Sequence, residues 1–300
     1  MGARPIDAAW RRAHPLPVHA RGTDKNERGR VLLVGGAEFV PGALRLSGEA
    51  ALRAGCGKLQ LATVAHVAMA LGVLMPEAAM IALPAEESGE ISVAGAEILS
   101  EALDHCDTLI LGPGMSEHAR TTDLVRQMLA APRPDLSIVL DAAAATCAAE
   151  LADEIRRHEG RVLLTPHHGE MAALTGRSIE EVAADPLGIA QRTAEDLGAV
   201  VAIKSAATFV TAPGAEPLAF ASECIGLATG GSGDVLAGII GGLLSRGTPP
   251  QEAAAWGVAI HAEAGHQASR TIGPIGFLAS DLLMLIPRIM AGAIESPSAQ

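Results

Sequence analysis

Short apolar runs alternate along the chain with longer stretches in which apolar residues recur at helical spacing. The first run, Arg30–Val34, ends at Gly35-Gly36, and helical spacing of Leu and Ala follows over Gly42–Ala54. Continuous apolar runs that end in a glycine turn are typical of buried parallel strands. Further strands are predicted at Leu59–Thr63, Ala79–Leu83, Asp107–Leu111, Ser137–Leu140, Arg161–Leu164 and Val200–Ile203.

Helical segments separate most of these strands, and helix dominates the last third of the chain. Strands that alternate with helices of this length predict an α/β fold, a doubly wound and mostly parallel sheet with helices on both faces. After Lys204 the pattern changes to a short β segment at Thr208–Thr211. The predicted helices are Ala94–Leu103, Thr122–Leu129, Gly169–Leu174, Leu187–Leu197, a mainly helical stretch from Asp234 to about Arg270, and Ser280–Ala291.

The chain is predicted to form one domain over residues 30–292, because it shows no internal repeat and no linker long enough to divide it. Residues 1–29 are polar and turn-rich, which indicates an N-terminal arm that packs on the domain or on a partner subunit. Residues 293–300 are predicted to be a frayed tail.

Composition limits the classes of function. Apolar residues make up 49% of the chain, so a sizeable core can form, and the formal net charge of −12 argues against nucleic-acid or anionic-membrane binding. The four cysteines are far apart and lack metal-binding spacing, which indicates reduced thiols in a cytoplasmic protein. No apolar run has the form of a secretory signal or the length of a membrane span.

Polar residues and glycines are concentrated where the predicted strands end. In an open parallel sheet, ligands bind beyond the carboxyl ends of the strands, so this concentration predicts a ligand site there. For a single turn such as Gly35-Gly36, an ordinary structural role is equally plausible. The segments are Gly35-Gly36, Gly112–Gly114, Asp141, Thr165–Glu170, Lys204 and Thr229–Asp234.

The strongest chemical signal is the sequence Gly-Gly-Ser-Gly-Asp that ends at Asp234. Its glycines free backbone N–H groups to point at an anion, and the apolar run that follows should begin a helix with positive potential at its N-terminus. Asp234 would then accept the proton of a hydroxyl that attacks a phosphoryl group. The alternative is an ordinary acidic residue in the first turn of a helix. The predicted anion hole comprises Gly230, Gly231, Ser232 and Gly233.

Two weaker signals lie at other strand ends. Lys204 and Thr208 could hold nucleotide phosphates, although a lysine at a strand end is usually just solvated. His167 could donate a hydrogen bond to a ligand, although such a histidine is more often at the surface or satisfied in the core. Neither segment completes a zinc site.

The chain resembles the ADP- or ATP-dependent NAD(P)H-hydrate dehydratases, a carbohydrate-kinase-like family, over roughly residues 15–292. The stretches Thr-Pro-His-His-Gly-Glu-Met and Ala-Thr-Gly-Gly-Ser-Gly-Asp-Val-Leu-Ala-Gly are specific to that family, whereas GxGD alone belongs to the wider ribokinase-like group. The matching segments follow the family order: Arg30–Gly36, Gly112–Gly114, Thr165–Met171, Lys204–Thr208 and Ala228–Gly238.

The resemblance implies a ribokinase-like fold and a repair reaction. The hydroxyl of (S)-NAD(P)H-hydrate would be phosphorylated by ADP or ATP, and loss of phosphate would restore the reduced nicotinamide. Mg²⁺ would accompany the nucleotide, held largely through its phosphates and water, with no residue assigned as a direct metal ligand. The family also implies a homo-oligomer, often a tetramer.

The resemblance also implies roles for individual residues. Asp234 corresponds to the catalytic base and also contacts the substrate. Gly233 corresponds to an anion-hole and nucleotide contact. The remaining nucleotide-binding positions are Lys204, Ser205, Ala206, Ala207 and Thr208, and the other positions that contact the hydrated dinucleotide are Ala43, Gly114 and His167.

The chain departs from the family pattern at three positions. Ala143, Cys224 and Ser205 stand where the family usually has Asp, Asn and Gly. Two other functions therefore stay open. One is a ribokinase-like kinase of a small hydroxymethyl compound, whose product keeps the phosphate. The other is a nucleotide-binding paralogue without turnover. The sequence does not decide between ADP and ATP.

Overall fold

The computed structural model describes residues 2–20, 22–116 and 119–294. Within these ranges ten strands form one sheet, in the order β1-β10-β9-β8-β7-β6-β5-β2-β3-β4. In chain order they are β1 (Arg4–Pro5), β2 (Arg30–Val34), β3 (Lys58–Val64), β4 (Ala79–Leu83), β5 (Thr108–Leu111), β6 (Ser137–Leu140), β7 (Val162–Leu164), β8 (Val200–Ile203), β9 (Ala207–Thr211) and β10 (Leu218–Ala221).

Helices connect most of the strands. They are α1 (Ala8–Ala13), α2 (Gly42–Arg53), α3 (Ala65–Leu74), α4 (Gly95–Asp104), α5 (Ala119–Met128), α6 (Ala142–Thr146), α7 (Ala152–Arg156), α8 (His168–Thr175), α9 (Ile179–Ala184), α10 (Pro186–Leu197), α11 (Ser232–Ser245), α12 (Pro250–Thr271), α13 (Ala279–Leu283) and α14 (Ile286–Ile294). None of the helices in the described ranges is long and apolar enough to cross a membrane.

The predicted α/β architecture is confirmed. Strands β2 to β8 pair in parallel, and only the β8–β9 and β9–β10 pairs are antiparallel. From β2 the chain moves outward to β3 and β4, then returns to place β5 on the opposite side of β2. The β2/β5 boundary is therefore the topological switch point, where open parallel sheets form ligand clefts.

Helices α2 and α11 approach each other through glycines. A Cβ atom on Gly238 would lie 2.1 Å from the carbonyl oxygen of Ser47, and one on Gly242 would lie 2.6 Å from that of Ala51. These distances are shorter than any van der Waals contact, so only glycine permits this backbone approach. The contact fixes α11 against the helix that follows the switch-point strand β2.

The predicted arm, residues 1–29, contributes regular structure that the sequence pattern did not reveal. Its strand β1 pairs in parallel with β10, and its helix α1 buries Trp10, whose ring lies 6.2 Å from that of Trp256 on α12. At the other end, α14 continues to Ile294, two residues beyond the predicted domain end. The rest of the predicted tail, residues 295–300, lies outside the described residues.

The last helix was predicted as one segment, Ser280–Ala291, and this was wrong. The structure has α13 ending at Leu283 and α14 starting at Ile286. Pro287 lies in the first turn of α14, and it has no N–H group to continue an incoming helix. Helix α3, which joins β3 to β4, was also not predicted.

Candidate active site

The two glycine turns at the switch point contact each other. The Gly36 N–H donates to the carbonyl of Pro113 at 2.7 Å, and a Cβ on Gly35 would lie 2.3 Å from the same oxygen. Gly114 has φ 72°, and a Cβ added there would lie 3.0 Å from that of Ala43, at the start of α2. The structure therefore brings the predicted substrate positions Ala43 and Gly114 together.

A charged cluster lies beyond the carboxyl ends of β6, β7 and β8. The Lys204 Nζ donates to Asp141 Oδ1 at 3.1 Å and lies 3.7 Å from Glu170 Oε2. Asp141 is only 3% exposed and also accepts a hydrogen bond from Thr165 Oγ1 at 2.6 Å. Burial opposes the charge of Lys204, but the carboxylates of Asp141, Glu170 and Asp234 raise its pKa overall. Lys204 is thus a buried cation held among acidic groups.

Asp234 lies in the first turn of α11, next to this cluster. Burial is the main cause that raises its pKa to about 7, and the negative charges of Asp141 and Glu170 act in the same direction. The positive charge of Lys204 opposes them. A carboxylate with a pKa near neutrality is suited to take a proton and later return it.

We expect the raised pKa of Asp234 to cost stability at neutral and alkaline pH. The folded protein holds this proton up to about pH 7, whereas the ordinary value is 3.8, so ionisation favours unfolding as pH rises from about 4 to 7. Asp234→Asn should therefore be more stable than the wild type at pH 8, by on the order of 1–3 kcal/mol. Denaturant unfolding at pH 4 and pH 8 measures this, and an equal difference at both pH values would contradict it.

The turn before α11 leaves backbone donors free. Gly231 occupies the N-cap position with φ 87° and makes no side-chain cap. The N–H of Ser232 donates to the Thr229 carbonyl, but no described residue accepts from the N–H groups of Gly230, Gly231, Gly233 or Asp234. Free N–H groups at a helix N-terminus bind anions. This geometry supports the predicted anion hole, while contact with a ligand stays a prediction.

Gly231 and Gly230 should tolerate a methyl group very differently. A Cβ on Gly231 would lie 2.5 Å from Leu46 Cδ1 on a backbone with φ 87°, whereas nothing lies within 4 Å of a Cβ on Gly230. We expect Gly231→Ala to lower the free energy of unfolding by about 1–3 kcal/mol. The matched control Gly230→Ala should leave it nearly unchanged. Denaturant unfolding of both variants is the measurement, and equal losses would contradict the geometric argument.

Ser47 links the two parts of the site. Its hydroxyl donates to the backbone carbonyl of Asp234 at 2.8 Å, and its side chain is fully buried. Ser47 lies one helical turn after Ala43 on α2, so one face of this helix contacts both Gly114 and the first turn of α11. The sequence carries no signal for this role, because a serine within a small-residue helix is unremarkable.

His167 forms the N-cap of α8. Its Nδ1 accepts from the Glu170 N–H at 3.1 Å, and the Glu170 carboxylate accepts from the His167 N–H at 2.8 Å. The imidazole therefore has the structural role that the sequence left open, yet it remains exposed, with Nε2 3.5 Å from Glu170 Oε1. A ligand contact through Nε2 is still a prediction.

The predicted nucleotide segment, residues 204–208, comprises the turn between β8 and β9 and the first two residues of β9. The Ser205 hydroxyl donates to the carbonyl of Ala207, and Thr208 Oγ1 donates to that of Ser205 at 3.3 Å. The Ala206 carbonyl accepts from the Ser222 N–H, which joins the turn to the residue after β10. Lys204 is the member of this segment that reaches the charged cluster. A Cβ on Gly233 would lie 3.2 Å from its Nζ, which places the segment beside the anion hole.

Comparison with known proteins identifies the family to which this chain belongs. A family model described as NAD(P)H-hydrate dehydratase matches residues 31–288. The chain belongs to the NAD(P)H-hydrate dehydratase family. The resemblance drawn from the sequence motifs is thereby confirmed.

Among curated members of the family, the ADP-dependent (S)-NAD(P)H-hydrate dehydratase of Xanthomonas campestris is 45% identical over 288 residues, covering 96% of each chain. The bifunctional NAD(P)H-hydrate repair enzyme Nnr of Moorella thermoacetica is 37% identical over 97% of this chain. The match covers 54% of that longer relative.

Solved structures confirm the ribokinase-like fold. The ADP/ATP-dependent NAD(P)H-hydrate dehydratase of Bacillus subtilis, co-crystallised with ATP and Mg²⁺, superimposes with a TM-score of 0.80 at 25% identity, covering 98% of this chain and 99% of that one. A ribokinase-like superfamily protein of Enterococcus faecalis gives a TM-score of 0.83 at 25% identity, covering 97% and 96%.

Proposed function

We propose that this protein dehydrates (S)-NAD(P)H-hydrate to NAD(P)H at the expense of ADP or ATP, with Asp234 as the general base. The observation that carries this proposal is the position of Asp234. It lies in the first turn of α11, it has a pKa raised to about 7, and free backbone N–H groups precede it. The 45% identity to an ADP-dependent dehydratase supports the choice of reaction.

In the first step the substrate hydroxyl attacks the terminal phosphoryl group of the nucleotide. Asp234 accepts the hydroxyl proton, the new O–P bond forms, and the bond to the leaving phosphate of the nucleotide breaks. The N–H groups of Gly231, Gly233 and Asp234, which donate to no acceptor among the described residues, would stabilise charge on the transferring group. Lys204 lies beside them and can neutralise phosphate oxygens.

In the second step the phosphorylated substrate loses phosphate. The C–O bond breaks, the phosphate leaves with the electron pair, and the neighbouring carbon loses a proton to water, which creates the ring double bond. The net change is loss of water, while the nucleotide has given up one phosphoryl group as inorganic phosphate. The same backbone N–H groups that donate to the transferring phosphoryl group would stabilise the departing phosphate.

Mg²⁺ fits this site as a companion of the nucleotide. Among the described residues, no three His, Cys, Asp or Glu side chains are grouped to hold a metal ion, and Lys204 already lies between Asp141 and Glu170. The cation would therefore be held by phosphate oxygens and water. When bound, Mg²⁺ supplies positive charge that offsets the phosphate charges.

The substrate would bind at the switch point. Ala43 and Gly114 are in mutual contact there, and Ser47 connects their helix to Asp234. The exposed Nε2 of His167 offers a hydrogen bond from the other side of the charged cluster. This arrangement supports the expected contacts of all three residues with the hydrated dinucleotide.

The three departures from the family pattern leave the charged cluster intact. Ala143 is 4% exposed and belongs to the core, so alanine suits its surroundings. Ser205 satisfies its hydroxyl within its own turn, and Cys224 precedes the short 3-10 turn Ile225–Leu227. None of them supplies a partner of Lys204 or Asp234.

One experiment separates the three candidate functions. The protein is incubated with enzymatically hydrated NADH and either ADP or ATP, with Mg²⁺, and the absorbance of reduced nicotinamide is followed. Recovery of that absorbance with release of one phosphate per turnover supports repair. A stable phosphorylated product supports a kinase, and nucleotide binding without turnover supports a regulatory paralogue. Parallel reactions with ADP and ATP decide the nucleotide.

Two further expectations belong to this proposal. We place the enzyme in the cytoplasm, which is consistent with four cysteines that lie far apart in the sequence. We also expect a homo-oligomer, and the exposed apolar side chains of Met69, Val73 and Leu74 on α3 offer a surface for it. Sedimentation of the wild type and of Met69→Lys tests this, since a monomer in both would contradict it.

A further inference from the structure

A histidine from a neighbouring helix contacts the anion hole. His261 lies in the middle of α12, and its Nε2 is 2.9 Å from the hydroxyl oxygen of Ser232, the first residue of α11. Ser232 is 5% exposed, so this contact is shielded from water. The pair is not part of the proton transfer assigned to Asp234.

The turn that carries the predicted anion hole has no side-chain cap of its own. Gly231 gives α11 no capping side chain, and Gly230 is exposed with no atom close to its Cβ position. A helix start that keeps its N–H groups free for a ligand cannot use them to hold itself in place. Its position must therefore be fixed by contacts from other elements.

Two side chains supply these contacts from different helices. Ser47 on α2 donates to the carbonyl of Asp234 at 2.8 Å, and His261 on α12 contacts the hydroxyl of Ser232 at 2.9 Å. The contacts lie two residues apart, on either side of Gly233. Together they define the orientation of the Gly233 and Asp234 N–H groups. These N–H groups donate to no acceptor among the described residues.

The imidazole of His261 can keep its hydrogen bond to Ser232 unchanged as the pH varies. Burial, with a smaller effect from the positive charge of Lys204, lowers its pKa to about 4, although hydrogen bonding to the backbone of Ser232 acts in the opposite direction. The ring is therefore neutral at any pH at which Asp234 is ionised. A neutral ring keeps the same hydrogen bond to Ser232 throughout the catalytic pH range.

We propose that His261 is a positioning residue for phosphoryl transfer: through Ser232 it holds the first turn of α11 so that the backbone N–H groups of the anion hole point at the transferring group. The expected effect on kcat rests on the proposed function. Its structural part, the fixing of the α11 turn by the Ser232–His261 contact, can be tested without turnover.

The test compares His261→Phe, which keeps an aromatic ring without a hydrogen bond, with His261→Gln, whose amide can restore it. We expect His261→Phe to lower kcat by about 10-fold or more, with KM for the nucleotide changed by less than about 3-fold, since donors aimed at the transition state act mainly on kcat. His261→Gln should recover much of the loss. His266→Phe on the same helix is the matched control and should keep wild-type kcat.

Two measurements exclude a merely structural effect. The losses in Ser232→Ala and in His261→Phe should not add in the double variant, because both remove the same contact. Amide hydrogen exchange over residues 232–236 should be faster in His261→Phe than in the wild type or His261→Gln. A wild type without turnover would overturn the proposed function and leave the exchange result to decide the contact. Unchanged kcat and unchanged exchange in folded His261→Phe would overturn this inference.

Discussion

Replacing Asp234 with asparagine should lower the turnover of hydrated NADH by about 10²–10⁴-fold at saturating nucleotide, the usual contribution of general acid–base catalysis. Asparagine keeps the shape of the side chain but cannot accept the hydroxyl proton. The backbone donors and the N-terminus of α11 are unaltered, so stabilisation of the protein by ADP or ATP should persist. The measurement is the rate of NADH recovery in folded wild type and variant.

The pH dependence of the rate is a second test of the role of Asp234. The wild-type rate should fall below about pH 7, because protonated Asp234 cannot act as a base, and its pKa is raised to about 7 by burial and by Asp141 and Glu170. Asparagine also tolerates a helix start, so a purely structural Asp234 predicts equal rates in wild type and variant. Equal rates would remove Asp234 from the mechanism.

Replacing Lys204 with alanine should lower turnover at pH 7 by about 10- to 100-fold, the value of one charged hydrogen bond of about 1.5–3 kcal/mol. The same change should shift the pH profile. Lys204 is the cation that lowers the pKa of Asp234, so its loss should raise that pKa further and move the acidic limb to higher pH. Rates between pH 6 and 9, with ADP-dependent thermal stabilisation, measure both effects.

Lys58 offers a matched control for this change. It begins β3, at the opposite edge of the sheet from the carboxyl ends, and its side chain is exposed. Lys58→Ala should keep the rate, the pH profile and the stabilisation by nucleotide. If Lys204→Ala loses activity while its acidic limb stays in place, Lys204 contacts the nucleotide without tuning Asp234.

The sequence predicted the central sheet well because its strands are continuous apolar runs buried on both faces. β2, β5, β6 and β8 all fall within one or two residues of their predicted bounds. Helix α3 was not predicted: it is apolar nearly throughout, so no alternation of apolar and polar residues marks its helical period. Strand β1 was missed because it has only two residues and depends on pairing with β10.

The candidate site likewise has a part that the sequence predicts and a part that it does not. Its glycine turns and Asp234 could be predicted, because they depend on local sequence and on the rule that strand ends converge. The contacts that hold the first turn of α11 could not. Ser47 and His261 are 187 and 29 residues away in the chain from Asp234 and Ser232, which they contact, and only the packing of α2 and α12 on α11 brings them there. Contacts between residues so far apart in the chain produce no periodic pattern in the sequence.

The glycine contacts between α2 and α11 have a consequence for motion. Side chains exchange rotamers on the nanosecond timescale, but at Gly238 and Gly242 the two helices meet backbone to backbone, with no side chain between them that could change rotamer. The distance from the start of α2, where Ala43 lies, to Asp234 is therefore set largely by main-chain contacts. Helices α2 and α11 therefore form a rigid pair that fixes this spacing.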